Sequence, residues 1–130
     1  MKTKLHVLLV LAAGVIAISG PTFAHHGVAD LDMTKTVTIK GEVTDFQFTN
    51  PHVLIYMNVK DDKGNIKKWT VEVVSPNSLS RRGWTKDSFK PGDQITVTGN
   101  PKKNSSQALR LNSAILPNGQ ELSTGDDNRY

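Results

Sequence analysis

TVTIKGEVTDFQF, residues 36–48, carries the clearest secondary-structure signal in this 130-residue chain. From the second residue of this stretch to Val43, apolar or small residues alternate with polar ones, which is the period of a half-buried β-strand. Beyond Val43 the alternation changes phase, because Phe46 and Phe48 fall on the opposite parity. A slip of one residue predicts a β-bulge near Thr44-Asp45. A long, bent first strand of this kind is typical of small barrels.

Two further alternating runs follow, and a turn separates them. Asn50-Pro51 ends the first strand. The run His52–Val59 then places Val53, Ile55, Met57 and Val59 on one parity, and the run Ile66–Val74 places Trp69, Val71 and Val73 on one parity. The intervening residues 61–65, DDKGN, are rich in the residues that favour turns. The pattern predicts a β-hairpin made of the second and third strands.

A short helix and the remaining strands complete the fold prediction. Residues 75–83, SPNSLSRRG, begin with a serine suited to the N-cap and a proline suited to the first helical position, and they end with a glycine suited to the left-handed position. Alternation predicts a fourth strand around Ile95–Gly99 and a fifth over Leu109–Ile115, and Glu121–Leu122 is a candidate edge strand. Five strands with one helix between the third and fourth predict an all-β fold, a small five-stranded OB-type barrel.

The first 24 residues have the pattern of a signal peptide. Lys2 and Lys4 precede an uncharged apolar run over residues 7–18, and small residues stand at Thr22 and Ala24. The alternative is an uncleaved membrane anchor, but the run is shorter than the roughly 20 residues needed to span a bilayer. We therefore predict cleavage after Ala24, a periplasmic or secreted location, and no membrane span in the mature chain.

The predicted mature chain has 106 of the 130 residues, which we divide into a barrel domain over residues 25–122 and a flexible tail over residues 123–130. Its formal charge is +2, because two lysines of the total +4 leave with the signal peptide. So small a charge argues against a nucleic acid partner. The absence of cysteine excludes disulfides, thiolate metal sites and a cysteine nucleophile. With no nucleophile elbow and no glycine-rich phosphate loop, the sequence predicts a binding protein and not an enzyme.

Several short motifs, taken in chain order, resemble a known family. They are His25-His26, Thr49-Asn50-Pro51-His52, Trp69, Glu72, Ser75-Pro76-Asn77, Arg81-Arg82-Gly83-Trp84 and Lys90-Pro91-Gly92-Asp93. The succession resembles a family of small exported bacterial proteins known only as a domain of unknown function. The resemblance implies an exported, single-domain, barrel-like protein and no particular activity. Phe48 departs from the family, which often has tryptophan at that position.

Histidines provide the candidate binding site. Cleavage after Ala24 makes His25 the first residue, so that its α-amine and its ring Nδ1 can chelate one metal ion. Their ordinary pKa values, about 7.7–8.0 and about 6.5, allow a divalent ion to displace the remaining protons at neutral pH. One more nitrogen, from His26 or His52, gives a sulfur-free set that suits Cu(II) best among first-row ions. We predict His25, His26 and His52 as metal ligands, with Glu72 as a weaker ligand or a partner that orients one.

The hairpin places His52 and Glu72 on the same predicted face as Tyr56 and Thr70, because their parities are compatible. His52 can bind a metal, or it can simply hydrogen-bond locally beside Asn50. Glu72 lies among apolar neighbours and needs a partner. The candidates for that partner are Arg81, Arg82, His26 and a metal ion, and a structural pair with an arginine is one interpretation.

The sequence also permits a second function. A His-His pair at a mature terminus can be a cleavage context that chelates copper only incidentally. The protein is then a metal-free interaction module of the cell envelope, which binds a protein or a carbohydrate partner. A copper-dependent oxidase has little support, because 106 residues leave little scaffold for a substrate groove.

Overall fold

The computed structural model describes residues 28–104 and 106–125. Within these ranges a 3₁₀ turn at Val28–Asp30 precedes the strands, and the short helix α1, Pro76–Ser80, lies between the third and the fourth strand. The strands are β1 Val37–Gln47, β2 Leu54–Lys60, β3 Ile66–Glu72, β4 Gln94–Pro101, β5 Ala108–Ile115 and β6 Glu121–Ser123. The predicted cleavage site, His25 and His26 lie outside the described residues.

The strands close into a five-stranded barrel. β1 pairs antiparallel with both β2 and β4, while β3 pairs with β2 and β5 pairs with β4. A parallel contact of β3 with β5, which sets Thr70 beside Ala108 and Glu72 beside Arg110, completes the ring. β6 adds to β5 outside the ring. The closed order, with one helix after β3, confirms the predicted OB-type barrel.

The predicted bulge in β1 is confirmed. Val43 pairs with Met57 and Asp45 pairs with Tyr56, so that Thr44 is the extra residue on β1. The first half of β1 pairs with β4 and the second half with β2, which is how one long strand serves both sides of the barrel.

The core fills the inside of the ring. Alternate residues of the strands point inward, and helix α1 with the segment after it adds Leu79, Trp84 and Phe89 to the same core. The largest fully buried side chains are Val43, Val53, Ile55, Met57, Val71, Val73, Leu79, Trp84, Ile95, Val97, Leu109 and Leu111. Among the described residues no helix is both long and apolar enough to cross a membrane.

Two local predictions around the helix have different outcomes. Gly83 has a φ of +85°, which confirms the left-handed position at the end of the helical segment. Ser75 stands at the N-cap, but its side chain makes no capping bond, and its hydroxyl contacts the Ser78 hydroxyl at 3.3 Å instead. The predicted side-chain cap is therefore wrong.

The predicted alternation along β5 is wrong in its second half. Leu111 is buried as expected, but Ala114 and not Ser113 is the next buried residue, and Ile115 is 43% exposed. The cause is an irregularity in the pairing with β4, in which Asn112 is an extra residue that reverses the parity. The candidate edge strand is present as β6, and the buried Thr124 beyond it bonds to the carbonyl oxygen of Asn112 at 3.1 Å.

Candidate functional site

His52 points outward because the next residue is fixed inward. Val53 is fully buried, and it makes two backbone hydrogen bonds to the residues that directly follow β3. Its N–H donates to the Val74 carbonyl at 3.3 Å, and its carbonyl accepts from the Val73 N–H at 2.8 Å. Since successive side chains along extended chain point to opposite faces, His52 lies on the outer face of the barrel. The preceding Asn50-Pro51 peptide bond is cis.

Glu72 reaches the same outer face from the neighbouring strand. It lies between the fully buried Val71 and Val73, and in the register of the hairpin it pairs with Leu54. Because directly opposed residues of an antiparallel pair share a face, Glu72 lies diagonally across from His52.

The two side chains form a hydrogen bond. His52 Nδ1 lies 2.8 Å from Glu72 Oε1. An ionised carboxylate can only accept, so the histidine donates from Nδ1 and its Nε2 atom remains for another ligand. The side chains are 39% and 22% exposed, so solvent and small ions have access to the imidazole.

Lys102 adds a third member to this group. Its Nζ lies 3.8 Å from Glu72 Oε2, so both carboxylate oxygens have cationic or hydrogen-bonding neighbours. The expected pairing of Glu72 with an arginine of the helical segment is replaced by these two contacts. The Arg82 guanidinium lies instead where a side chain at Gly125 would have to go.

The segment that leads from the amino terminus is attached to the barrel beside Lys102. Leu31 is 5% exposed and forms an isolated β-bridge with Lys102. Backbone bonds from Asp32 to the Pro101 carbonyl and from Lys103 to the Asp30 carbonyl, both 2.8 Å, fix the residues on either side of Leu31.

A local turn fixes the exit of this segment. Asp32 accepts a 2.6 Å bond from the Thr34 hydroxyl and forms an ion pair at 3.1 Å with Lys35. The Thr34 hydroxyl and then Lys35 hold the pKa of the Asp32 carboxyl below its ordinary value. The turn directs the chain into β1.

The structure bears on one part of the site prediction, the face of the hairpin on which the candidate residues lie. The shared outer face of the hairpin is confirmed, because Tyr56 pairs with Thr70 and Leu54 with Glu72 in one register. Within residues 28–104 and 106–125, no group of three or more histidine, cysteine, aspartate or glutamate side chains could hold a metal ion. His25 and His26 lie outside those ranges, so the described part of the predicted ligand set is His52 with Glu72.

The fold and this outer face define a class: a small OB-type barrel with a histidine, glutamate and lysine group at one end of the hairpin. The chain belongs to a family of unknown function, DUF6152, whose model matches residues 12–110. This match confirms the resemblance to a family without an assigned role. No curated protein matches the sequence.

Solved structures similar to this chain include OB-type single-stranded DNA-binding proteins. Two crystal forms of Rim1, the mitochondrial single-stranded DNA-binding protein of S. cerevisiae, cover 64% of this chain and 93% and 92% of their own. Their identities are 10% and 12%, and their TM-scores are 0.49 and 0.48. A ZRD-deleted mutant of TiaS in complex with agmatine is 19% identical over 72% of this chain and 23% of its own, with a TM-score of 0.47. Similarity at this level says nothing about what this chain binds.

Proposed function

We propose that this protein is an exported metal-binding protein that captures Cu(II) with nitrogen atoms of His25, His26 and His52. The observation that carries the proposal is the 2.8 Å contact between His52 Nδ1 and Glu72 Oε1. Its role is to hold a metal ion and not to turn over a substrate.

The contact supports the proposal because histidines that bind metals commonly donate their other ring N–H to a carboxylate. The bond sets the tautomer and the plane of the ring, and it makes the free nitrogen a better donor. Here that free nitrogen is Nε2 of a histidine that is 39% exposed. Both oxygens of Glu72 have neighbours, His52 and Lys102, so Glu72 acts as the orienting partner and not as a direct ligand.

The attachment of the amino-terminal segment beside Lys102 supports a role for the other donors. Leu31 is bridged to Lys102, and the Lys102 ammonium lies 3.8 Å from the glutamate that holds His52. His25 precedes Leu31 by six residues, which span at most about 20 Å when extended. In a chain that starts at His25, a tether of about 20 Å therefore joins the first residue to Leu31, which is connected to the His52–Glu72 pair through Lys102.

The chemistry of the donors favours copper. An α-amine and imidazoles give a nitrogen-rich set, and the chain has no cysteine to attract softer ions. The proposal depends on export, since only cleavage after Ala24 releases the amine of His25.

The test is a Cu(II) competition titration of the mature protein recovered from the cell envelope. Intact mass first establishes that the chain begins at His25. We expect sub-micromolar affinity that falls at least about tenfold in His52→Ala and further in a His25→Ala, His26→Ala double variant. A form with one extra glycine before His25 is the matched control, because it keeps every side chain and removes the terminal chelate.

Two results overturn the proposal. Binding at micromolar strength or weaker that is unchanged in the double variant means that the histidines do not capture copper. Tight binding that is lost in the double variant but unchanged in His52→Ala identifies incidental chelation by the terminus alone.

A further inference from the structure

A second feature lies on the outer face of the hairpin, farther along β2 than the His52–Glu72 pair. It is a groove of about 420 Å³ across β1, β2 and β3. The residues that matter for its chemistry are Asp45, Gln47, Tyr56, Asn58, Lys68 and Thr70. The volume falls within the range of about 300–1,000 Å³ that is usual for small-molecule sites.

The groove presents polar groups that the described protein leaves unsatisfied. Tyr56, Asn58 and Thr70 are half-buried, and none of their side chains hydrogen-bonds to any residue within 28–104 or 106–125. Together they offer two hydroxyls and one amide, which both donate and accept. Because these groups line an open groove, a ligand that displaces solvent from it must bring its own donors and acceptors.

Hydrogen bonds within β1 connect two residues at one edge of the groove. Asp45 accepts a 2.9 Å bond from the Phe46 backbone N–H and a second 2.9 Å bond from Gln47 Nε2. The carboxylate thereby fixes the Gln47 amide on the neighbouring position of β1. An amide that already has such a partner loses less conformational entropy when a ligand binds.

The charges of the groove balance. Asp45 contributes one negative charge and Lys68 one positive charge. A nucleic acid strand needs a groove of net positive charge along its phosphates, and a carboxylate in the lining opposes it. The balance therefore points to an uncharged ligand.

We propose that this groove binds one or two residues of a neutral oligosaccharide. The Tyr56 ring provides an apolar surface with a polar tip against which the C–H face of a sugar can lie. The side chains of Asn58, Gln47 and Thr70 are donors and acceptors for sugar hydroxyls. The groove requires no metal, so this site is independent of the copper proposal.

The experiment titrates the full mature chain, labelled with ¹⁵N, with cello-, malto-, manno- and chito-oligosaccharides. We expect saturable binding of at least one of them, with amide shifts that concentrate at Tyr56, Asn58 and Lys68. Tyr56→Ala should weaken the binding at least about tenfold, and Tyr56→Phe, which keeps the ring, should weaken it less. Leu54→Ala is the matched control, because Leu54 lies on the same face of β2 but does not line the groove.

Every variant is first checked for folding by thermal unfolding, and Asn58→Ala provides a second, smaller perturbation if Tyr56→Ala does not fold. An EDTA-treated sample separates this site from a metal site, and the proposal requires that its binding be unchanged. The proposal is overturned if none of the four sugars binds, if Tyr56→Ala and Leu54→Ala have equal effects, or if an oligothymidylate or a peptide binds the groove more tightly than the sugars.

Discussion

Replacing Glu72 with glutamine tests the central contact with little change of shape. Glutamine has the same length as glutamate and can still accept a bond from His52 Nδ1, now 2.8 Å from a carboxylate oxygen. What it removes is the negative charge that strengthens this bond. The substitution therefore separates the orienting role of Glu72 from its packing.

The magnitude follows from the kind of bond that is exchanged. A hydrogen bond to a charged group contributes about 1.5–3 kcal/mol, and a neutral one contributes about 0.5–1.5 kcal/mol. A metal ion on Nε2 makes the ring more positive and its Nδ1–H a stronger donor, so the difference between the two kinds of bond acts mainly on the metal-bound protein. That difference, roughly 1.4 kcal/mol, corresponds to about tenfold in an equilibrium constant. If His52 binds the metal, the Cu(II) affinity of Glu72→Gln should fall by about this factor, within the 10–100-fold range that is usual for such partners.

The same substitution should change the stability of the metal-free protein by less than about 1 kcal/mol, because surface pairs contribute little. The His52 and Glu72 side chains are 39% and 22% exposed, which places the pair close to that case. Urea unfolding of the metal-free protein measures the change in stability. Competition titration with a copper chelator measures the Cu(II) affinity. The ¹⁵N spectrum of the His52 ring reports which nitrogen carries the proton, without any metal.

Glu42→Gln is the matched control. Glu42 is also an exposed glutamate on the barrel, with a 3.3 Å contact from Gln94 Nε2. The reasoning is refuted if Glu72→Gln and Glu42→Gln leave the copper affinity equally unchanged while His52→Ala weakens it. It is also refuted if the ¹⁵N spectrum of the unsubstituted, metal-free protein places the His52 ring proton on Nε2 and not on Nδ1.

Three further predictions concern the scaffold. Leu111→Ala removes a fully buried side chain and should lower the free energy of unfolding by about 2–5 kcal/mol in urea titrations, and a loss below about 1 kcal/mol would contradict the core assignment. Gly99→Ala should cost about 1–3 kcal/mol by the same measurement, because its side chain would collide with the backbone carbonyl of Arg110, and a neutral effect would mean that β4 and β5 are farther apart. The backbone N–H of Asn65 is the main cause that lowers the pKa of Asp61 below 3.8, so this carboxylate stabilises the hairpin turn above that pH and loses the effect as the pH falls through its lowered pKa. A carboxyl ¹³C titration should give a midpoint below 3.8, and a midpoint at or above it would rule the turn geometry out.

Much of the barrel could be predicted from the sequence because each strand has a buried and an exposed face. The alternation in β1 changes phase at Thr44, which is where the pairing of β1 with β2 has its bulge. The alternation in β5 gave a wrong burial prediction for Ile115. Leu111 and Ile115 share a parity, but an extra residue lies between them, so they face opposite sides. A bulge is visible in a sequence only when apolar residues flank it on both sides, and Asn112 is followed by small residues that suit either face.

The site was only partly predictable, for a similar reason. The hairpin register that brings His52 and Glu72 to one face follows from local alternation and a recognisable turn. The contact of Lys102 with Glu72 depends on the parallel pairing of β3 with β5, and no local pattern specifies which lysine of a polar loop will face a given carboxylate. The unsatisfied polar groups around Tyr56 likewise appear only when three strands lie side by side.

The two halves of the proposed copper site therefore rest on different parts of the fold. The pair of His52 and Glu72 needs only the β2–β3 hairpin, whose seven-residue register is continuous from Leu54 to Lys60. The position of the amino-terminal segment beside this pair depends on the closed barrel. Leu31 is bridged to Lys102, which directly follows β4. A change that opens the β3–β5 contact but leaves the hairpin intact should keep the Nδ1 bond of His52 and lose the convergence of donors. Copper affinity would then fall to that of the terminal chelate alone, whereas the ring tautomer of His52 would be unchanged.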